Sequence, residues 1–268
     1  MKPLELLPAS SAKSSNLAFA LLCLPPTRRS DAMLFYRFCR TVDDIADQTS
    51  LAVGDKRKQL EAWLQAVEHG LPPDLERLIV RHCIERSLFA EIVKGCASDV
   101  EPRRFSTLAD LELYCWRVAC AVGLVSIKIF GCRDPRSETY AVHLGHALQL
   151  TNILRDTGED AADGRIYLPQ EDMARFGVSE EEILNRSPSA RFKALMRHEA
   201  AQARARFAAA VPPRADFKSL LPARIMCAVY QKILDRIERE KFPVLQKRIS
   251  LSRREKVTST LGAFFRGF

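Results

Sequence analysis

Glycine is scarce in this chain, 11 of 268 residues, and no long stretch alternates apolar with polar positions. Both lacks argue against a sheet-based fold and leave helical periodicity as the dominant pattern. The opening segment, MKPLELLPASSAKSS, has no apolar core of the kind a secretory signal carries. No uncharged apolar run reaches the ~18 residues of a membrane span. The eight cysteines form no CxxC pair. Zinc-finger spacing, an RNA-binding aromatic signature and a glycine-rich dinucleotide fingerprint are all missing. So are internal repeats, low-complexity tracts and linkers. Nucleic acid is therefore left without support beyond net charge and is not expected as a partner. The cysteines read as buried free thiols of a reducing compartment. The expected location is cytoplasmic, at most peripheral on a membrane face.

What is present has the balance of an ordinary globular protein, with 47% hydrophobic and 28% charged residues and a net charge of +8. The positive charge is densest in the last third, and a solvated basic surface is its ordinary reading. Helices are expected over 15–24, 28–48, 55–69, 73–97, 107–131, 137–160, 179–185, 189–210, 216–241 and 251–265. Pro25-Pro26, Pro72-Pro73, Pro135, Pro188 and Pro212-Pro213 punctuate them. Gly158, Gly164 and Pro169 are expected to end a helix and open a loop from Thr157 to Asp172. The whole chain, 1–268, reads as one all-α domain.

Two acidic stripes stand out. In Phe35 to Asp47, the residues Asp43 and Asp47 are four apart and share a helix face with Arg40 and Tyr36. In Gln149 to Asp160, the residues Gln149, Asn152, Asp156 and Asp160 form a second stripe among apolar positions. A helix apolar around most of its circumference is usually buried, and buried carboxylates need a cationic partner. Mg²⁺ suits them, because it takes one or two carboxylates and completes its shell with water and substrate phosphate. Arg40 and Arg155 could then bind phosphate oxygens. Spacing alone leaves two readings open: metal-assisted diphosphate chemistry, or ordinary surface salt bridging.

Tyr36-Arg37-Phe38-Cys39-Arg40-Thr41-Val42-Asp43-Asp44-Ile45-Ala46-Asp47 resembles the first acidic motif of squalene and phytoene synthases. Asn152 to Asp160, followed by Gly164-Arg165-Ile166-Tyr167-Leu168-Pro169, resembles the second almost letter for letter. Tyr114 to Gly123 resembles the substrate helix between them, Leu24-Pro25 through Arg28-Arg29 the approach to the first motif, and Ala228 to Leu234 the late helix. The resemblance spans most of the chain, in the family's order.

It implies an isoprenoid synthase fold, a helical bundle around a deep central cavity. It also implies Mg²⁺-dependent, head-to-head condensation of two prenyl diphosphates, with Mn²⁺ as an alternative ion. By this resemblance Asp43, Asp47, Asn152, Asp156 and Asp160 hold metal and diphosphate, and Tyr36, Tyr167, Arg40 and Arg155 contact or orient the diphosphate. Tyr114, Gln149, Val118, Ala119 and Gly123 are then substrate-binding. NADPH enters only if the last cation is reduced to squalene. Farnesyl diphosphate is the expected substrate, geranylgeranyl diphosphate the runner-up. A non-catalytic assembly member of the family is the alternative of another class, against which stand the intact aspartates and arginines. The chain departs from the family's pattern at Cys120 and at Asn16-Leu17-Ala18, with Lys13, Ser14 and Ser15 as weak diphosphate contacts. The basic run Lys247 to Val257, continued by Leu261, Phe264, Phe265 and Phe268, has two readings: its aromatic face packs on the domain's own core with the charges solvated, or it makes peripheral membrane contact.

Overall fold

Two adjacent prolines open the first helix, because proline at the first helical position gives up an N–H that would lack an intrahelical partner anyway. In the computed structural model, which describes residues 20–252 together with 6, 254, 255, 258 and 259, this helix is α1, Pro26–Asp47. It is followed by α2 (Val53–His69), α3 (Pro73–His82), α4 (Arg86–Ala97) and α5 (Leu108–Phe130). After them come α6 (Arg136–Ala162), α7 (Gln170–Phe176), α8 (Glu180–Leu184), α9 (Ala190–Ala209) and α10 (Leu221–Arg239). No strand occurs among the described residues, so the fold is all-α as expected.

Helix α5 organises the rest. Thr107 and Asp110 form a reciprocal capping box at its start, and Gly131 ends it in the left-handed conformation, at φ 81°. Its Leu111, Tyr114, Cys115 and Ile127 belong to one apolar core with α6, α9 and α10. Its Ala121, Val125, Ile129 and Phe130 belong to a second core with α1, α2 and α4. By length and hydropathy α5 could cross a membrane. Here that apolar surface is spent inside the protein, on both cores and on the half-buried residues Val118, Ala119, Val122, Gly123 and Ser126 that line internal cavities.

Three local expectations differ from the structure. The helix foreseen over 73–97 is two helices, broken at Cys83, which adopts φ 49° without being glycine. The break is tertiary in origin: Arg81 and His82 at the end of α3 both bind the buried carboxylate of Asp31 on α1, each at 2.8 Å. Within α5, Trp116–Cys120 is a π-helical turn, a feature found frequently at functional sites. And the loop foreseen from Thr157 to Asp172 is shorter, since α6, foreseen to 160, runs to Ala162 and α7 begins at Gln170. The foreseen helix over 15–24 falls largely outside the described residues, as do Lys13, Ser14, Ser15 and Asn16-Leu17-Ala18.

Gly158 has a packing role in place of the breaking role read from sequence. A Cβ there would lie 2.4 Å from the carbonyl oxygen of Val244 and 2.9 Å from the Cα of Leu245. The chain after α10 thus lies directly on α6. Gly158→Ala is expected to destabilise the protein by about 1–3 kcal/mol, the usual cost of overpacking. A wild-type melting temperature in that variant would show that the 244–245 segment moves aside freely.

Candidate active site

Residues of both acidic stripes border one cavity, although Asp47, Asp156 and Asp160 are not among those that line it. Tyr36, Cys39, Arg40 and Asp43 of α1 line it from one side and Asn152 of α6 from the other, with Val118, Val122 and Ser126 of α5 between them. Its volume is about 330 Å³. A second, more apolar cavity of about 200 Å³ shares Val118, Val122, Ser126, Phe130, Asn152 and Tyr230 with the first. It then runs along α6 past Gln149, Leu148 and Leu144 to Tyr140. The joined space therefore has one polar end and two diverging apolar arms.

Ion pairs hold the polar end. Arg40 binds Asp43 at 2.6 Å and also contacts Asp44. Asp47, nearer the surface, pairs with Arg165 at 3.0 Å. On α6 the Arg155 guanidinium grips the carboxylate of its neighbour Asp156 with contacts of 2.8 and 2.5 Å, and Arg248 adds a third at 3.0 Å. Between the stripes lies Asp99, just beyond α4. It accepts hydrogen bonds from the Tyr114 hydroxyl at 2.7 Å and the Tyr167 hydroxyl at 2.9 Å, while Arg165 donates to its backbone carbonyl at 3.3 Å. Phe105, Tyr114 and Tyr167 pack as a ring cluster with centroids 5.4–5.8 Å apart, which fixes both phenols.

The carboxylates outnumber their cations. Asp43, Asp47, Asp99, Asp156, Glu159 and Asp160 face Arg40, Arg155, Arg165 and Arg248. Burial pushes Asp160 up to about 7, with repulsion from Asp156 second and Arg165 opposing. Asp43 rises to about 6, again chiefly by burial, against the pull of Arg40. Its side chain is still 46% exposed, because it borders the cavity while protein surrounds it on the other sides. The Oδ1 atom of Asn152 is buried with no hydrogen-bond partner, an acceptor aimed at something cationic or a donor.

Residues 10–255 match the family model described as squalene/phytoene synthase. The chain belongs to the squalene/phytoene synthase family. It is 37% identical to a presqualene diphosphate synthase of Zymomonas mobilis over 84% of this chain and 80% of that protein. It is 33% identical to a 15-cis-phytoene synthase of Synechococcus elongatus over 91% of this chain and 86% of that one. A crystal structure of a dehydrosqualene synthase superposes with a TM-score of 0.81 at 26% identity, covering 96% of this chain and 94% of that one. The chain is thus a prenyltransferase, and its family condenses prenyl diphosphates head to head with the help of a divalent metal.

The residues of this chain fit such an ion. The surplus of carboxylates and the unpartnered Asn152 oxygen supply hard oxygen ligands. Among the described residues no group of three or more His, Cys, Asp or Glu side chains converges into a ready cage.

Of the residues foreseen from sequence, Tyr36, Arg40, Asp43, Asn152, Gln149, Val118, Ala119 and Gly123 border the joined cavities. Gly123 also lets α6 approach, since a Cβ there would meet the Ala141 carbonyl at 3.1 Å. Tyr114 and Tyr167 instead direct their hydroxyls to Asp99, and Arg155 is engaged by Asp156. Cys120 is buried against Gly145 and donates to the Val142 carbonyl at 3.2 Å. Sequence reasoning missed Asp99, Arg165, Tyr230 and Arg248. Arg165 and Tyr230 stood inside quoted motifs, but Asp99 had no spacing signal at all. Arg248 and Lys247 stand in the run read as a candidate for peripheral membrane contact. The structure pairs them with Asp156 and Glu159, and with Glu240, respectively. Val257, Leu261, Phe264, Phe265 and Phe268 of the same segment lie outside the described residues.

Proposed function

We propose that this enzyme joins two farnesyl diphosphates head to head, giving presqualene diphosphate, inorganic diphosphate and a proton, with Mg²⁺ as the ion. The observation that carries the reading is the cavity with one polar end and two apolar arms, a shape that suits two prenyl tails meeting at a shared reaction centre. The 37% identity to a presqualene diphosphate synthase supports the shorter substrate. A bound divalent ion supplies charge neutralisation for the departing diphosphate. Asp43, Asp156, Asp160 and Asn152 are the groups to hold it; Arg40 at the polar end, and Arg155 paired with Asp156, are the guanidinium groups to take phosphate oxygens. Val118, Val122, Phe130 and Leu144 surround the tails and exclude water, which would quench an allylic cation. Asp99 fixes the Tyr114 and Tyr167 hydroxyls by accepting a hydrogen bond from each.

A second reading, phytoene formation from two geranylgeranyl diphosphates, is favoured by the phytoene synthase relatives that match about nine tenths of this chain. Incubation with each diphosphate and Mg²⁺, with and without NADPH, separates the two by product mass. Farnesyl diphosphate alone is expected to yield the 30-carbon cyclopropyl diphosphate. A 40-carbon hydrocarbon as the main product, with farnesyl diphosphate left unused, would overturn the proposal.

A further inference from the structure

Tyr140, in the first turns of α6, stands between two spaces. One face closes the apolar arm, beside Ile127, Leu144 and Met226. The other borders an outer cleft of about 370 Å³, lined among others by Phe217, Arg224, Cys227 and Lys232. The side chain is 2% exposed, and its hydroxyl is buried without a hydrogen-bond partner. A buried phenol normally finds a partner, so hydrogen bonding does not explain a tyrosine here. Its length does: the ring and oxygen together fill the gap between arm and cleft. The first cavity ends elsewhere, at Leu21, Phe35, Ile92 and Ile129, and Tyr140 takes no part in it.

We propose that Tyr140 is the partition that ends one of the two prenyl arms and restricts that arm to the shorter substrate. This deepens the farnesyl reading and rests on it. A tail one isoprene unit longer would have to occupy the volume of the phenol. Shortening residue 140 joins the arm to the outer cleft past Cys227 and Phe217 and gives the extra unit a place to lie. Because only one arm changes, the new capacity is for one longer tail, and the product that reports it is the mixed 35-carbon condensate.

The experiment offers wild-type enzyme and the variants Tyr140→Phe, Tyr140→Leu and Tyr140→Ala equal amounts of farnesyl and geranylgeranyl diphosphate with Mg²⁺, and separates products by mass. The ratio of 35-carbon to 30-carbon product is expected to rise in the order Phe, Leu, Ala. Tyr140→Ala should show a gain of at least about tenfold, the low end of what one methylene of misfit is worth in an apolar pocket. The 40-carbon product should rise much less. If Tyr140→Ala does not fold, Tyr140→Leu decides by the same ratio. A folded, active variant with an unchanged 35-carbon ratio overturns the partition, and so does a 40-carbon product that rises as much as the 35-carbon one. Wild-type enzyme that makes no 30-carbon product from farnesyl diphosphate alone overturns the underlying substrate reading instead, whatever the variants do.

Discussion

Replacing Asp43 or Asp160 by asparagine is expected to lower kcat by at least about 10²-fold, the scale of losing one preorganised electrostatic contact. The same change should raise the melting temperature of the metal-free protein at pH 7 and above. Both effects follow from one cause. In the unfolded chain these carboxyls give up protons near pH 4, while in the folded protein burial holds them to about 6 and about 7. Between those limits the folded state binds more protons than the unfolded one, so stability falls as pH rises across the window. Asparagine abolishes that penalty, whereas below pH 4, where both states are protonated, it should confer no advantage. Each kcal/mol of relieved strain is worth about 2–4 °C for a chain of this size. Divalent metal reverses the sign: its binding displaces the protons, so its affinity for the wild type should increase as pH climbs from 6 to 8. Calorimetric melting with and without Mg²⁺, alongside turnover, reads all of this. A variant with wild-type turnover, or one whose metal-free melting temperature drops at pH 8, would remove these residues from the metal site.

Asp99→Ala should impair both stability and turnover. The substitution leaves the buried Tyr114 hydroxyl and the Tyr167 hydroxyl without their acceptor, which costs about 1–3 kcal/mol for each group left unpaired. Freed phenols also lose their aim, and a misplacement near 1 Å beside a reacting centre can cost about 10²-fold in rate. Asp99→Asn separates orientation from charge. Its amide oxygen still accepts from one phenol, and burial already disfavours the ionised form of Asp99. If orientation is what Asp99 supplies, the asparagine variant should keep most of the stability and recover much of the rate lost in the alanine variant. Wild-type kcat and melting temperature in Asp99→Ala would show that the two phenols need no acceptor there.

The helical class, the order of elements and both acidic stripes were legible in the sequence because they are local. Four-residue spacing puts Asp43 beside Asp47 and Asp156 beside Asp160 on any helix, and prolines and capping residues mark where helices begin. The motif glycine at 158 was visible too, but its purpose was not: whether glycine ends a helix or admits a neighbouring chain depends on what lies against it, here Val244 and Leu245. The break at Cys83 was hidden for the same reason, since nothing in Arg81-His82-Cys83 predicts a turn until Asp31 of α1 is brought beside it. Only the tertiary structure decided how the site's charges are shared. Asp99 comes from the end of α4, Arg165 from the loop after α6 and Arg248 from beyond α10, and ion pairs across such separations leave no periodic trace in a sequence. The two arms of the cavity are likewise a property of packing, because α5 is apolar along most of its length and its sequence does not say which of its faces meets a neighbouring helix and which is left open for substrate.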